Sequence, residues 1–275
     1  MWRKVRREMR RKGWLRRQEV NVACRRVPSP IGHTSVSPMI SSAILRRSWA
    51  AASDAEVTFA LNDAGESLAA FSRVTADSGS LIQSWIEGRT VVEYEHYPPD
   101  DVVDVRSGSQ FFYHAHRSGG NEHGHMHLFW HATVSGRRRY VAGLPRRWVR
   151  AAPTHLFAIA LDDRGLPVSL FTVNRWVTDG YWFDASTIQS FVARFAVNDA
   201  SGNADSCAWL NAFVRMYRPV IENLLLRRDR RLSRRKDLLA SLDDRRLEQL
   251  SLLRLDWEAD LRSLEGEAVR RRLAL

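Results

Sequence analysis

Five histidines stand at alternate positions in one short block of the chain, His114-Ala115-His116 followed by His123-Gly124-His125-Met126-His127. A period of two is the signature of an extended strand, which sends every second side chain to the same face. Helical periodicity would scatter these imidazoles. The block therefore predicts two strands joined by a loop over 117–122. If that loop closes a symmetric antiparallel hairpin, His116 faces His123, His114 faces His125 and Phe112 faces His127, all on one side of the sheet. Opposed side chains have Cβ atoms about 5 Å apart. Four imidazoles in such a square can converge on a metal at nitrogen distances of about 2.0–2.1 Å.

Cys24 and Cys207 are the only cysteines, which argues against a disulfide framework and a thiolate metal site. A metal here is held by nitrogen and oxygen. The expected ligands are His114, His116 and His125, with His123 and His127 as alternates. Glu122 is the expected carboxylate ligand or general base, and Glu93, Glu95, Asp100, Asp101 and Asp104 lie just upstream. Two or three histidines with one carboxylate suit Fe or Mn, whereas closed His-rich coordination suits Zn, Ni or Cu. Two metal-free readings compete: a hydrogen-bonded polar network, and an acid/base pair that needs no ion. His155 opens a strand whose alternation puts it beside Phe157 and Ile159. That makes it a half-buried, satisfied histidine, or else a late addition to the ligand set. In Asn174-Arg175-Trp176, Arg175 is a candidate to position a small anionic substrate, the alternative being an ion pair with a surface acid.

Around this block the periodicity changes twice. From Ser41 to Gly88 apolar residues recur at helical spacing, among them Ile44, Leu45, Trp49, Phe71 and Trp85. Thr90 to Tyr97 is rich in β-branched and aromatic residues and predicts a strand that stops at Pro98-Pro99. A second hairpin is expected from Thr154–Leu161 and Pro167–Val177, turning at Asp162-Asp163-Arg164-Gly165. Asp184 is a suitable N-cap for a helix through Ile188, Phe191 and Val192. A longer helix from Trp209 to Leu225 should break near Pro219. From Arg227 on, a charged, leucine-bearing stretch predicts helices that pack on the core or form a homodimer arm. The fold class is α+β, a mainly antiparallel central sheet or small barrel flanked by N-terminal and C-terminal helices. The expected division is a basic tail over 1–40, a His-rich core over 41–226 and charged helices over 227–275.

The formal charge of +11 suggests a nucleic-acid binder until its distribution is read. In residues 1–38, nine Arg and two Lys stand against Glu8 and Glu19, a net +9, so the rest of the chain carries only +2. The charge thus supports nucleic-acid binding only through the basic tail. That tail lacks apolar periodicity and reads as a disordered arm for nucleic acid, a membrane-surface segment, an organelle transit peptide, or sequence upstream of a true start at Met39. Only Lys4, Lys12 and Lys236 accompany the arginines, as in a GC-rich reading frame. No stretch approaches the ~18 apolar residues of a membrane span, and no signal-peptide core follows Met1. A cytoplasmic protein is expected. P-loop, GxGxxG and GxSxG motifs are missing, which removes nucleotide, dinucleotide and serine-hydrolase readings.

Two resemblances follow from these motifs. Gly108, five residues, then His114-Ala115-His116 resembles the start of the first cupin motif, which implies His114 and His116 as ligands and Glu122 as the carboxylate in a small barrel. Glu122 comes one residue late for that motif, its closing Gly is missing, and no second motif supplies the last His. The blocks Glu95-His96-Tyr97-Pro98-Pro99-Asp100-Asp101-Val102, Tyr113-His114-Ala115-His116-Arg117, Glu122-His123-Gly124-His125-Met126-His127, Pro153-Thr154-His155-Leu156 and Thr172-Val173-Asn174-Arg175-Trp176-Val177-Thr178 resemble an uncharacterised bacterial family of domains of unknown function. That family implies one domain over roughly Ile44 to Leu264 and brings no activity. The expected function is a His-rich metal-binding protein, as a metal-dependent oxidoreductase or hydrolase on a small anionic substrate. The alternatives are a non-catalytic metal sensor, or a structural protein with a buried His network and a nucleic-acid-binding arm.

Overall fold

In the computed structural model, the described residues are 39–115, 122–131, 153–198 and 203–273. Three N-terminal helices, α1 (Ile40–Ala51), α2 (Asp54–Ser78) and α3 (Gln83–Ile86), precede five consecutive strands: β1 (Tyr97–Asp104), β2 (Ser109–His114), β3 (Gly124–Trp130), β4 (Thr154–Leu161) and β5 (Pro167–Val173). Five helices follow, α4 (Arg175–Thr178), α5 (Ala185–Val192), α6 (Ala204–Met216), α7 (Arg218–Ser233) and α8 (Leu238–Leu242). Then come β6 (Gln249–Arg254) and α9 (Trp257–Arg271). The six strands form one sheet in sequence order, each antiparallel to its neighbour. This is the expected α+β class. The sheet stays open, so the barrel alternative does not apply.

Local chemistry sets the boundaries. Ser53 and Glu56 form a reciprocal cap at the start of α2, each side chain bonding the other's backbone N–H, so two otherwise orphaned donors are satisfied. Gly79, at φ 82°, ends the helix in the left-handed region. Asp184 accepts from Thr187 N–H and opens α5 as expected. The helical run broken near Pro219 resolves into α6 and α7, with Pro219 in the first turn of α7, where its missing N–H costs nothing.

Three elements correct the sequence reading. The strand expected over Pro167–Val177 ends at Val173, because Asn174 caps a short helix, α4, that begins at Arg175. The strand expected over Thr90–Tyr97 is displaced along the chain: β1 begins at Tyr97, where that strand was to end, and runs through Pro98-Pro99 to Asp104. It is an edge strand, and proline is tolerated where no ladder donor is needed. Residues 249–254 are a strand within the stretch expected to be helical. Leu250, Ser251 and Leu253 are buried while Leu252 is exposed, and the segment pairs with β5 to complete the sheet. Its leucines, three or four apart across the wider stretch, imitate helical spacing.

The two faces of the sheet differ in kind. Phe111, Tyr113, Met126, Leu128, Trp130, Ile159 and Leu170 face the helices and join one large core with Leu45, Trp49, Trp85, Trp209 and Phe213. Trp85 stacks on Tyr113 at 5.8 Å and donates its Nε1–H to Ser206 Oγ at 3.0 Å, tying α3, β2 and α6 together. Each such side chain contributes about 1.5–3 kcal/mol when fully buried, so this face carries the stability. On the other face Ala158, Ala160, Phe171 and Val173 form a separate, smaller cluster, and beside them lie the histidines.

Candidate metal centre

The β2/β3 ladder has the expected register: His114 lies opposite His125 and Phe112 opposite His127. These four side chains share the face away from the helices, because their strand neighbours Tyr113, Met126 and Leu128 belong to the core. The imidazoles of His114, His125 and His127 form a near-equilateral triangle, with ring centroids 4.5, 4.9 and 5.0 Å apart. One nitrogen from each lies within 4.8 Å of the other two, and the Nε2 atoms of His114 and His125 are 2.8 Å apart. These spacings bracket the ~3.3 Å between nitrogens that tetrahedral ligation at about 2.0–2.1 Å demands. His125 and His127 are buried and His114 half-buried, so the triangle opens toward His114.

Aromatic rings wall this triangle. Phe112 lies 5.5 Å from His127, and Phe171 lies 5.1 Å from His125 and 6.1 Å from His127. This setting excludes water and disfavours charged imidazole. Burial, with the neighbouring rings adding to it, holds His127 well below the ordinary histidine range. A neutral ring is the form that offers a lone pair to a metal.

A fourth imidazole arrives through a bulge. The β3/β4 register shifts between Leu128 and Phe129, so that Leu128 pairs with Phe157 but Phe129 pairs with His155. The extra residue, Leu156, takes the helix side together with Phe157, and His155 turns to the histidine side. Strict alternation would have set His155 with Phe157 and Ile159. A bulge of this kind re-aims a side chain. His155 Nε2 lies 2.9 Å from His127 Nδ1. Burial, followed by Arg228 and His125, lowers its pKa to about 3. With both rings neutral, one proton lies in this contact, and when His127 Nδ1 donates it to His155 Nε2, His127 Nε2 carries the lone pair.

The structure distributes the other expected site residues as follows. Glu122 meets His125 Nδ1 at 2.5 Å. It therefore accepts the Nδ1–H and leaves Nε2 as the lone-pair nitrogen turned toward His114. A carboxylate in this position orients an imidazole and fixes its tautomer. His123 lies just ahead of β3, and its Nδ1 contacts the Tyr113 hydroxyl at 2.6 Å, which puts it with a residue of the helix-side core and not with the triangle. Burial lowers its pKa. Gly124 makes that crossing feasible: a Cβ there would strike the Tyr113 hydroxyl and lie 2.7 Å from the His114 carbonyl oxygen. His116 falls outside the described residues. Arg175 pairs with Asp179 at 3.4 Å and with Asp243, the ion-pair alternative of the sequence reading. His96, which the alternation argument passed over, stacks on Phe112 at 3.5 Å and 8°, with its ring centroid 6.1 Å from that of His114.

No described helix is long and apolar enough to cross a membrane. No curated protein and no solved structure matched the chain. A family model described as a domain of unknown function, DUF6969, matches residues 62–255, from the middle of α2 to the end of the sheet, and includes every histidine of the centre. The chain belongs to this DUF6969 family.

Proposed function

We propose that this protein binds one divalent transition-metal ion through His114, His125 and His127, and that the ion is the working part of a metal-dependent enzyme. The observation that carries this reading is the buried triangle of three imidazoles, with ligand nitrogens within 4.8 Å of one another. The second shell fits the same reading. Glu122 fixes the tautomer of His125 and His155 braces His127, as outer-shell partners do around ligating histidines.

Three neutral imidazoles without thiolate suit Zn, Fe, Ni or Cu, and suit Mn less well. Three protein ligands leave at least one coordination position open, the arrangement of catalytic rather than structural sites. When bound, the metal supplies Lewis acidity or oxygen activation. Its first shell carries no negative charge, which favours a small anionic substrate to balance the ion in an apolar setting. Glu122 acts on His125 and not as a ligand in this account, and Arg175 has no part in it.

A metal-free network is the competing reading. It is favoured by the 2.8 Å contact between the Nε2 atoms of His114 and His125, which a single shared proton also explains. Elemental analysis of the full chain, expressed without a histidine tag, separates the two. About one equivalent of metal, lost in His125→Ala/His127→Ala, supports the centre. Protein that takes up none of Zn, Fe(II), Ni, Cu or Mn on reconstitution leaves the network reading in its place.

A further inference from the structure

The near neutrality of the chain beyond residue 38 is an average over an uneven surface. Residues 227–248 hold eight Arg and one Lys against five acidic residues, a net +4, which leaves the rest of that +2 body at −2. Four of the five acids are already engaged. Asp229 meets Arg228 at 2.7 Å and the Ala185 N–H at 2.6 Å, and Asp237 caps α8 through the Ala240 N–H. Asp243 pairs with Arg175, and Asp244 pairs with Arg235 and Arg246, each at 3.0 Å. Arg230, Arg234, Lys236 and Arg245 are exposed and, among the described residues, have no ion-pair partner.

These four cations stand together on a fixed frame. Arg230 and Arg234 are one helical turn apart at the end of α7, so they share a face. The Arg235–Asp244 bridge holds the backbone between Arg234 and Lys236 against the turn that carries Arg245. Arg231 Nη1 donates to the Gln249 and Leu250 carbonyls at 3.1 and 3.3 Å, which clamps α7 to β6. Leu232, Leu242 and Leu250 close a small apolar cluster beneath. Arg245 lies over the Trp176 ring at 4.7 Å, a stack that leaves the N–H groups at the guanidinium rim for oxygen acceptors. A helix dipole attracts cations to its last turn; that accounts for Arg230 and not for Lys236 or Arg245.

We propose that this surface docks on the phosphate backbone of duplex nucleic acid. Unneutralised cations on a rigid frame match a partner whose own charges are fixed and regularly spaced. A lipid surface takes up apolar groups that enter it, and the large apolar side chains bordering the patch, Leu226 at 42 % and Leu238 at 44 % exposure, are each more than half covered. A single strand is held by stacking its bases on open aromatic rings. The tryptophans here already carry guanidinium groups, Arg228 over Trp182 at 4.2 Å and Arg245 over Trp176. The docking surface is independent of the metal reading and of the basic residues in 1–38.

The test is fluorescence anisotropy of a labelled DNA duplex titrated with the full chain at several salt concentrations. The patch variant is Arg230→Ser/Arg234→Ser/Lys236→Ser/Arg245→Ser. The control, Arg73→Ser/Arg164→Ser/Arg218→Ser/Arg262→Ser, removes the same charge from exposed residues elsewhere. The patch variant should bind at least about tenfold more weakly near 0.1 M salt, with a salt slope shallower by about 3–4, whereas the control stays within about threefold of the parent. Arg230→Lys/Arg234→Lys/Arg245→Lys, which keeps the charge, should keep the parent slope. Parent-like binding by the patch variant would overturn the proposal, and so would absence of binding by the parent at low salt. Equal losses in patch variant and control would overturn it by assigning the effect to net charge. Patch-dependent binding to phosphatidylserine vesicles with duplex binding unchanged would give the surface to a membrane, and patch-dependent binding tighter to a single strand would reject the duplex.

Discussion

Glu122→Gln tests the centre without touching a ligand. Glu122 accepts from His125 Nδ1 at 2.5 Å, a charge-assisted bond that both fixes the tautomer and raises the basicity of Nε2. Outer-shell substitutions of this kind cost about 10- to 100-fold in metal affinity. Glutamine can still accept through Oε1, so the lower end is expected, whereas Glu122→Ala should approach the upper. With metal at a hundred times the parent Kd, binding stabilises the fold by about 2.7 kcal/mol, and a tenfold weaker site leaves about 1.4 kcal/mol. At roughly 2–4 °C per kcal/mol for a domain of this size, the metal-induced rise in Tm should shrink by about 3–5 °C. Competition against a chromophoric chelator gives the affinity, and differential scanning calorimetry with and without metal gives the shift. The unloaded variant should melt near the unloaded parent. Parent-like affinity in both Glu122 variants would refute the reasoning, because the carboxylate would then have no hold on His125.

The remaining predictions separate the two faces of the sheet and the termini of its helices. Gly124→Ala should cost metal affinity as well as stability, since its Cβ meets Tyr113 and the His114 carbonyl; chelator competition and thermal melts should both register it. Leu128→Ala, one position from His127 but in the helix-side core, should destabilise by about 2–5 kcal/mol in urea titrations while the folded protein retains full metal stoichiometry. Asp184→Ala should cost about 1 kcal/mol at neutral pH as a lost N-cap. The Thr187 backbone N–H, followed by the Thr187 and Ser186 hydroxyls and Arg228, lowers the pKa of Asp184. Its contribution is therefore present above the unfolded carboxylate value of about 3.9 and fades as pH falls through the lower folded value. Parent and variant stabilities should converge in acid, and a gap that persists there would contradict the capping role.

The hairpin was legible because strand alternation and a symmetric closure leave few registers for His114, His125 and Phe112, and because hydrophobic residues occupy the intervening positions. Asp184, which caps α5, and Gly165, at φ 81° between β4 and β5, were legible for equally local reasons. His155 was not, since a single bulged residue at Leu156 inverts the parity on which the reading depended. His96 was hidden by the looped register of β1, which no periodicity encodes. β6 was obscured because its leucines continue a spacing that also suits a helix. His123 was misleading in the opposite sense: it follows the alternation in sequence, yet it precedes the first residue of β3 and turns to Tyr113. Alternation thus predicted contacts within regular strands and failed where the ladder starts, bulges or loops out.

β3 writes two texts in alternate letters, Met126 and Leu128 for the core, His125 and His127 for the centre. A one-residue insertion or deletion within it would exchange them, presenting imidazoles to the helices and methionine and leucine to the opposite face. Substitutions can therefore tune either text alone, but changes of length cannot. Across DUF6969 relatives, gaps should be confined to the connections on either side of this strand, and its seven residues should behave as a unit of fixed length.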